Sequence, residues 1–168
     1  RLEPDWRIVV STAVKKEFIN IIMQGVQYEH RYIQWDIGVI QPNALDVDIN
    51  TTYKLLDEIN LKLKSRIKSE VKWIRSQEDE ILIISDIPPH AAELAAQVNA
   101  PLIWMGNFGW DDIYNELGSK MRDHAEEAKA QYIRGDILLR FPFSLKMDWN
   151  LPEINLELTS AKPKPLLD

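Results

Sequence analysis

Ile81-Leu82-Ile83-Ile84-Ser85-Asp86-Ile87-Pro88-Pro89-His90 is the stretch on which the fold turns. Four consecutive apolar residues, apolar on both faces, suit a parallel strand buried between helix layers better than a half-exposed antiparallel one. Ser85-Asp86 ends the strand, and two prolines fit the first turn of a helix. Ala91, Leu94, Ala95 and Val98 then mark that helix's inner stripe, and Asn99 closes it. Downstream the pattern repeats. Pro101 to Met105 reads as a second buried strand, and a longer helix carries Trp110, Ile113, Tyr114, Leu117, Met121, Ala125 and Ala128 on one face. Asp136 to Arg140 gives a last short strand.

Upstream, Ile8 to Ser11 is a short apolar strand, and Val14, Phe18, Ile21 and Ile22 have helix-like spacing up to Gly25. Tyr28 to Asp36 reads as a strand, followed by an irregular loop from Ile37 to Asp48. From Asn50 a long helical pattern places Leu56, Ile59, Leu63, Ile67, Val71 and Ile74 on one side, with Asn50 or Thr51 as its N-cap. Alternation of strand and helix predicts an α/β fold with an open, mostly parallel sheet and helices on both faces. In that architecture ligands bind outside the carboxyl ends of the strands. The places to search are Ser11-Thr12, Ser85-Asp86, Gly106-Asn107 and Phe141-Pro142.

Composition narrows the function. With 168 residues the chain holds one ordinary domain with a core, and 45% apolar residues against 27% charged exclude a disordered chain. Zero cysteines exclude disulfides, thiolate metal sites and thiol nucleophiles, and fit a cytoplasmic location. A net charge of -6, with basic residues spread along helices, disfavours nucleic acid as a partner. No apolar run is long enough to span a bilayer. The sequence contains neither a Gly-x-Gly-x-x-Gly nor a Gly-x-x-x-x-Gly-Lys-Ser/Thr loop, and its three histidines lack metal-ligand spacing, so no metal or bound cofactor is expected.

Chemistry gathers at two strand ends. Asp86 either accepts hydrogen bonds from a substrate hydroxyl and acts as a base, or caps the following helix. His90 sits in that helix's first turn, where the dipole disfavours its charged form. Gly106-Asn107-Phe108-Gly109-Trp110-Asp111-Asp112 brings an amide, aromatics and carboxylates together, the mix that recognises sugars by stacking and hydroxyl hydrogen bonds. Against this, Trp110 and Tyr114 lie on the apolar stripe of their helix, and Asp111 and Asp112 suit its N-terminal dipole. The loop from Asp36 to Asp48 is long enough to bind or gate a ligand, or to serve as a surface crossover.

Val10-Ser11-Thr12-Ala13, Asp36-Ile37-Gly38 with Gln41 and Asp48, Ser85-Asp86-Ile87-Pro88-Pro89, and Gly106-Asn107-Phe108-Gly109-Trp110-Asp111 with Ile113-Tyr114 occur in that order. Together they resemble the amino-terminal domain of GT-B-type glycosyltransferase-like proteins, above all the glycosyltransferase-like half that precedes the sugar kinase in L-arabinokinases and its bacterial relatives. The resemblance implies a Rossmann-like, acceptor-side domain over residues 1–145 and an exit segment or linker over 146–168. A first strand before Arg1 and a nucleotide-binding domain after Asp168 are then missing partners of the same protein. It implies a sugar or sugar-nucleotide ligand, with Thr12, Gln41, His90, Asn107, Trp110 and Asp111 binding substrate. Asp86, or a residue before Arg1, takes the proton of an acceptor hydroxyl, and the nucleotide sugar is a substrate. A non-catalytic sugar-sensing domain and a protein-docking domain are the competing readings.

Overall fold

The computed structural model describes residues 6–158. In chain order these form β1 (Val9–Ser11), α1 (Lys16–Ile22), β2 (Glu29–Arg31), α2 (Ile49–Arg75), β3 (Ile83–Ser85), α3 (Ala91–Val98), β4 (Leu102–Gly106), α4 (Trp110–Glu116), α5 (Arg122–Tyr132), β5 (Ile137–Arg140) and β6 (Glu153–Asn155). A 3-10 turn, Ser119–Met121, separates α4 from α5. Every strand pair is parallel, in two sheets: β1 with β2, and β3-β4-β5-β6 in sequence order. This is the open, parallel α/β architecture expected from the alternation of elements. Among the described residues no helix is long and apolar enough to cross a membrane.

Four local features depart from the pattern read along the chain. The strand expected over Tyr28 to Asp36 shortens to Glu29–Arg31. After it, Trp35 turns back to donate its indole N–H to Ser11 Oγ at 2.8 Å, which carries the chain across the end of β1. The cap of α2 is Asp48, which accepts from the Thr51 amide at 3.0 Å and its hydroxyl at 2.7 Å. The long helix expected from Trp110 to Ala128 breaks at Gly118, whose φ of +94° no L-residue adopts easily. The apolar stripe survives the break, since Tyr114 of α4 packs in one cluster with Met121 and with Ala125 of α5. Finally, β6 adds a strand beyond Arg140. Arg140 fastens it by two hydrogen bonds to Glu153, at 2.9 and 2.8 Å, while reaching the carbonyls of Leu145 and Lys146.

The main core lies on one face of the four-stranded sheet. Trp104, Leu102 and Leu138 from the strands meet Ala91, Ala92 and Ala95 of α3, Ala128 and Tyr132 of α5, and Met147 and Trp149 from the segment before β6. Alanines on α3 let the helix approach closely enough for the two large indoles to be enclosed. The long helix α2 packs Ile59, Leu63, Ile67 and Val71 against Leu94 of α3 and, at its edge, Trp35 and Ile37. Each such side chain contributes ~1.5–3 kcal/mol when fully buried. A half-buried ion pair also ties β2 to α2: Arg31 donates to both oxygens of Glu70, at 2.6 and 2.5 Å, and its guanidinium lies over the Trp73 ring.

Candidate functional site

Three segments converge beyond the carboxyl ends of the strands: the chain leaving β2, the turn between β3 and α3, and the turn between β4 and α4. The organiser is Tyr132, which is fully buried on α5. Its hydroxyl donates to the Ile87 carbonyl at 2.7 Å and accepts from the Trp110 amide at 3.1 Å. One side chain thereby fixes both strand-end turns. Ile87 has a φ of +64°, a strained value for a β-branched residue and doubly so before proline. Burial and the Tyr132 hydrogen bond hold it there. Gly106 sits opposite, where an added Cβ would lie 2.8 Å from Ile87 Cγ2, so only glycine allows the two turns this close.

Trp110 is the hinge between sequence-distant parts. Its indole N–H donates to Asp36 Oδ2 at 3.1 Å. Its ring stacks on Tyr114 at 5.5 Å and meets Phe108 edge-on at 5.2 Å. Gly38, with a φ of +64°, lies against the same ring; a Cβ there would come within 3.1 Å of it. Tyr114 donates its hydroxyl to the Gly38 carbonyl at 3.4 Å. The Asp36-Ile37-Gly38 and Trp110–Tyr114 motifs, separate in the sequence, are thus one contact.

Beside this contact lies a hollow of about 40 Å³, lined by Asp36, His90, Trp110, Tyr114 and His124 among others. It has room for a few water molecules, so a sugar ring would rest at its mouth instead of inside it. Burial pushes the Asp36 carboxyl above the usual range, partly offset by the Trp110 hydrogen bond, and the neighbouring Asp86 carboxylate adds to the rise. Asp86 itself is raised by partial withdrawal from water, although its side chain reaches solvent. Burial lowers His90, with Glu127 and Glu93 opposing. A carboxyl whose pKa is raised can accept and return a proton near neutral pH. On the other wall His124 is buried; its Nε2 lies 3.5 Å from Asp57 but has no hydrogen-bond partner among the described residues.

The expected residues fall in different places. His90 and Trp110 line the hollow. Asp86 does not line it; it stands beside Gly106, its oxygen 3.9 Å from where a Gly106 Cβ would be. It does not cap α3, since the N-cap there is His90 and has no side-chain hydrogen bond. Asn107 is exposed at the end of β4, and its carbonyl accepts from the Leu145 amide at 2.8 Å. Thr12 follows β1 and its hydroxyl accepts from the Val14 amide at 3.2 Å, while Gln41 is exposed on the loop before α2. Asp111 turns into the core, accepting from the Trp149 indole at 3.0 Å. Its neighbour Asp112 accepts from the Met147 amide at 2.8 Å, so both carboxylates anchor the segment before β6. Among the described residues no cluster of three or more His, Asp or Glu is placed to hold a metal ion.

Reading the sequence placed Asp36 in a candidate loop and a motif without giving it a role, and it missed His124 and Tyr132. Asp36 carried a signal, a carboxylate two residues before a glycine just after a strand, but its contact with Trp110 spans 74 positions. His124 and Tyr132 sit on a helix as ordinary inner-stripe residues, and nothing local sets them apart.

These features define an open parallel α/β protein of Rossmann-like design whose polar groups gather at the strand ends. Over 125 residues, 71% of this chain, it is 26% identical to the L-arabinokinase of Arabidopsis thaliana. That stretch is 12% of the plant protein's length. No protein-family model matches the chain, and no solved structure does.

Proposed function

We propose that this chain is the acceptor-side, sugar-binding domain of a GT-B-type glycosyltransferase-like protein, which moves a sugar from a nucleotide-sugar donor to an acceptor hydroxyl. The observation that carries this reading is the hollow that Asp36 and His90 line beside the stacked Trp110–Tyr114 pair, with Asp86 near enough to raise the pKa of Asp36. A sugar lays an apolar ring face on Trp110 and Phe108 at the mouth of the hollow, and its hydroxyls bond to Asp86, Asn107 and His90. Asp86, reaching solvent with a raised pKa, takes the acceptor proton as the new bond forms and the nucleoside diphosphate leaves. Similarity to a protein named as an L-arabinokinase supports a sugar as the ligand. That name is a kinase's and not a transferase's, which favours a second reading, a domain that binds sugar without turning it over.

Two measurements test this. Monosaccharides, L-arabinose first, should raise the melting temperature of the chain; saturation at 100 times the dissociation constant adds ~2.7 kcal/mol, or roughly 5–10 °C at this size. No shift with any sugar removes the proposal. In the full-length polypeptide, release of nucleoside diphosphate from a panel of sugar nucleotides should fall at least ~100-fold in Asp86→Asn. Binding without release selects the sensing role, and release undiminished in Asp86→Asn removes Asp86 as the base.

A further inference from the structure

The carboxylates around the hollow have no cation to meet. Asp36 and Glu127 line it, Asp86 acts on Asp36 from nearby, and no lysine or arginine is among the lining residues. Elsewhere acidic side chains find partners readily: Glu70 holds Arg31, Glu93 meets Arg134 and Glu153 meets Arg140. Among the described residues Asp36, Asp86 and Glu127 form no ion pair at all.

Asp36 is the most exacting of the three. It is half-buried, and its side-chain hydrogen bond comes from the uncharged indole of Trp110. Burial holds its carboxyl above the usual range, that hydrogen bond offsets the rise in part, and Asp86 adds to it. At His90 burial dominates, and the charges that act on the ring are again carboxylates, Glu127 and Glu93. A carboxylate withdrawn from water is costly without a counter-charge, and a cation brought beside it recovers that cost. A hydroxyl supplies a hydrogen bond there but leaves the charge unbalanced.

Size and walls narrow the cation. A hollow of about 40 Å³ admits a few water molecules, hence a group the size of an ammonium, but not a sugar ring. Trp35, Trp110 and Tyr114 give it aromatic walls, and aromatic rings attract cations. His124 lines the same hollow; its side chain is 8% exposed, and its Nε2 has no hydrogen-bond partner among the described residues. An unprotonated imidazole nitrogen is an acceptor for an ammonium N–H. A metal ion suits the place less well, because among the described residues no three His, Asp or Glu are grouped to ligate one.

We propose that the hollow takes a primary ammonium group, so that the acceptor is an amino sugar, its ring at the mouth and its ammonium among Asp36, Glu127 and the aromatic walls. That the ring is a sugar rests on the reading above; that its substituent is cationic rests on the hollow alone. An N-acetylated sugar fails on two counts, since its amide carries no charge and its acetyl group needs more room. The net charge of -6 draws any cation weakly toward the chain, whereas the unpaired carboxylates mark one place for it.

Titration calorimetry of the 168-residue chain tests this at about pH 6.5, below the ~7.7–8.0 typical of an α-amino group. D-glucosamine and D-galactosamine should bind at least ~10-fold tighter than D-glucose, D-galactose and N-acetyl-D-glucosamine. Asp36→Asn, which keeps an oxygen to accept from Trp110, should shrink that ratio to about twofold or less. Glu127→Gln, exposed on α5, should shrink it by roughly threefold, and it serves where Asp36→Asn fails to fold. Equal affinity for glucosamine and glucose, equally tight binding of the N-acetylated sugar, or a ratio unmoved by either substitution overturns the ammonium site and leaves the sugar reading standing. Ethanolamine separates the two from the other side. If it binds and raises the melting temperature while no sugar does, the sugar reading falls and the ammonium site remains. A response to the amines that sodium chloride matches at equal concentration overturns the ammonium site, and no response to sugars or amines removes both.

Discussion

The half built on β3 to β6 and the half built on β1 and β2 use the same kinds of element but reach different states. In the first, Trp104, Trp149, Tyr132, Leu138 and Met147 are all but excluded from water, and the sheet has helices packed against one face. In the second, α1 buries only Ile19 and leaves Phe18, Ile21 and Ile22 in solvent. Both sets of helices are amphipathic in sequence. What differs is whether the neighbours that accept the apolar face lie within the described residues. Burial is a property of pairs of surfaces, and an amphipathic pattern announces only one of them.

Substitution gives the sharpest way to break this contrast. Trp149→Ala should cost ~3–5 kcal/mol, because it opens a cavity among Trp104, Tyr132 and Asp111, whereas Phe18→Ala should change stability by less than about 0.5 kcal/mol. Urea unfolding of the two variants measures both; similar losses would mean that α1 is packed as tightly as the main core. A smaller effect isolates the clamp on the strand ends. Tyr132→Phe removes one hydroxyl and leaves the Ile87 carbonyl and the Trp110 amide without their partner, at ~1–3 kcal/mol. It should also weaken any sugar-induced rise in melting temperature, because both turns of the site lose their common anchor. Unchanged stability in urea would show that the turns hold without it.

The smallest effect concerns pH and again separates the halves. Asp111 is buried, and burial raises its folded-state pKa above the unfolded value, with Asp112 adding to the rise. Folding then favours the protonated form. The stability tied to this proton is complete below the ordinary carboxylate pKa and is lost as pH climbs through the raised folded value, with a slope of at most ~1.4 kcal/mol per pH unit. Asp111→Asn should flatten that slope in denaturation curves taken across the window just above the usual carboxylate pKa. An Asp48→Asn control should not, since Asp48 is held below its usual range by the Thr51 hydrogen bonds. If Asp111→Asn leaves the slope intact, another group titrates there.

Much of the fold was legible along the chain because its cues are local. Ile81 to Ile84 signals a strand by composition, although β3 is Ile83–Ser85 and Leu82 and Ile84 stay 40% and 52% exposed because no described helix covers that face, while Pro88-Pro89 and Asn99 bracket α3 and the three-and-four spacing from Leu56 to Ile74 describes α2. Asn99 does adopt the left-handed conformation its place requires, with a φ of 56°. The errors also have local causes. A single glycine at 118 interrupts an otherwise continuous apolar stripe, and Glu153–Asn155 becomes a strand only because β5 offers it an edge and Arg140 grips Glu153. Strand-end reasoning pointed to His90 and Trp110, and both line the hollow. Asp36 lay in a candidate loop, but its contact with Trp110 could not be read because the partner is 74 positions away.

The amino-acid sequence by itself settled most of the element types and the parallel α/β class, since each depends on residues a few positions apart. Only the tertiary structure decided that Asp36 meets Trp110, that Tyr132 ties both turns, that Asp111 serves the core and not the hollow, and that the described strands form two sheets. Those are relations between distant segments. Their energies come from packing and hydrogen bonding in three dimensions, which no window along the chain contains.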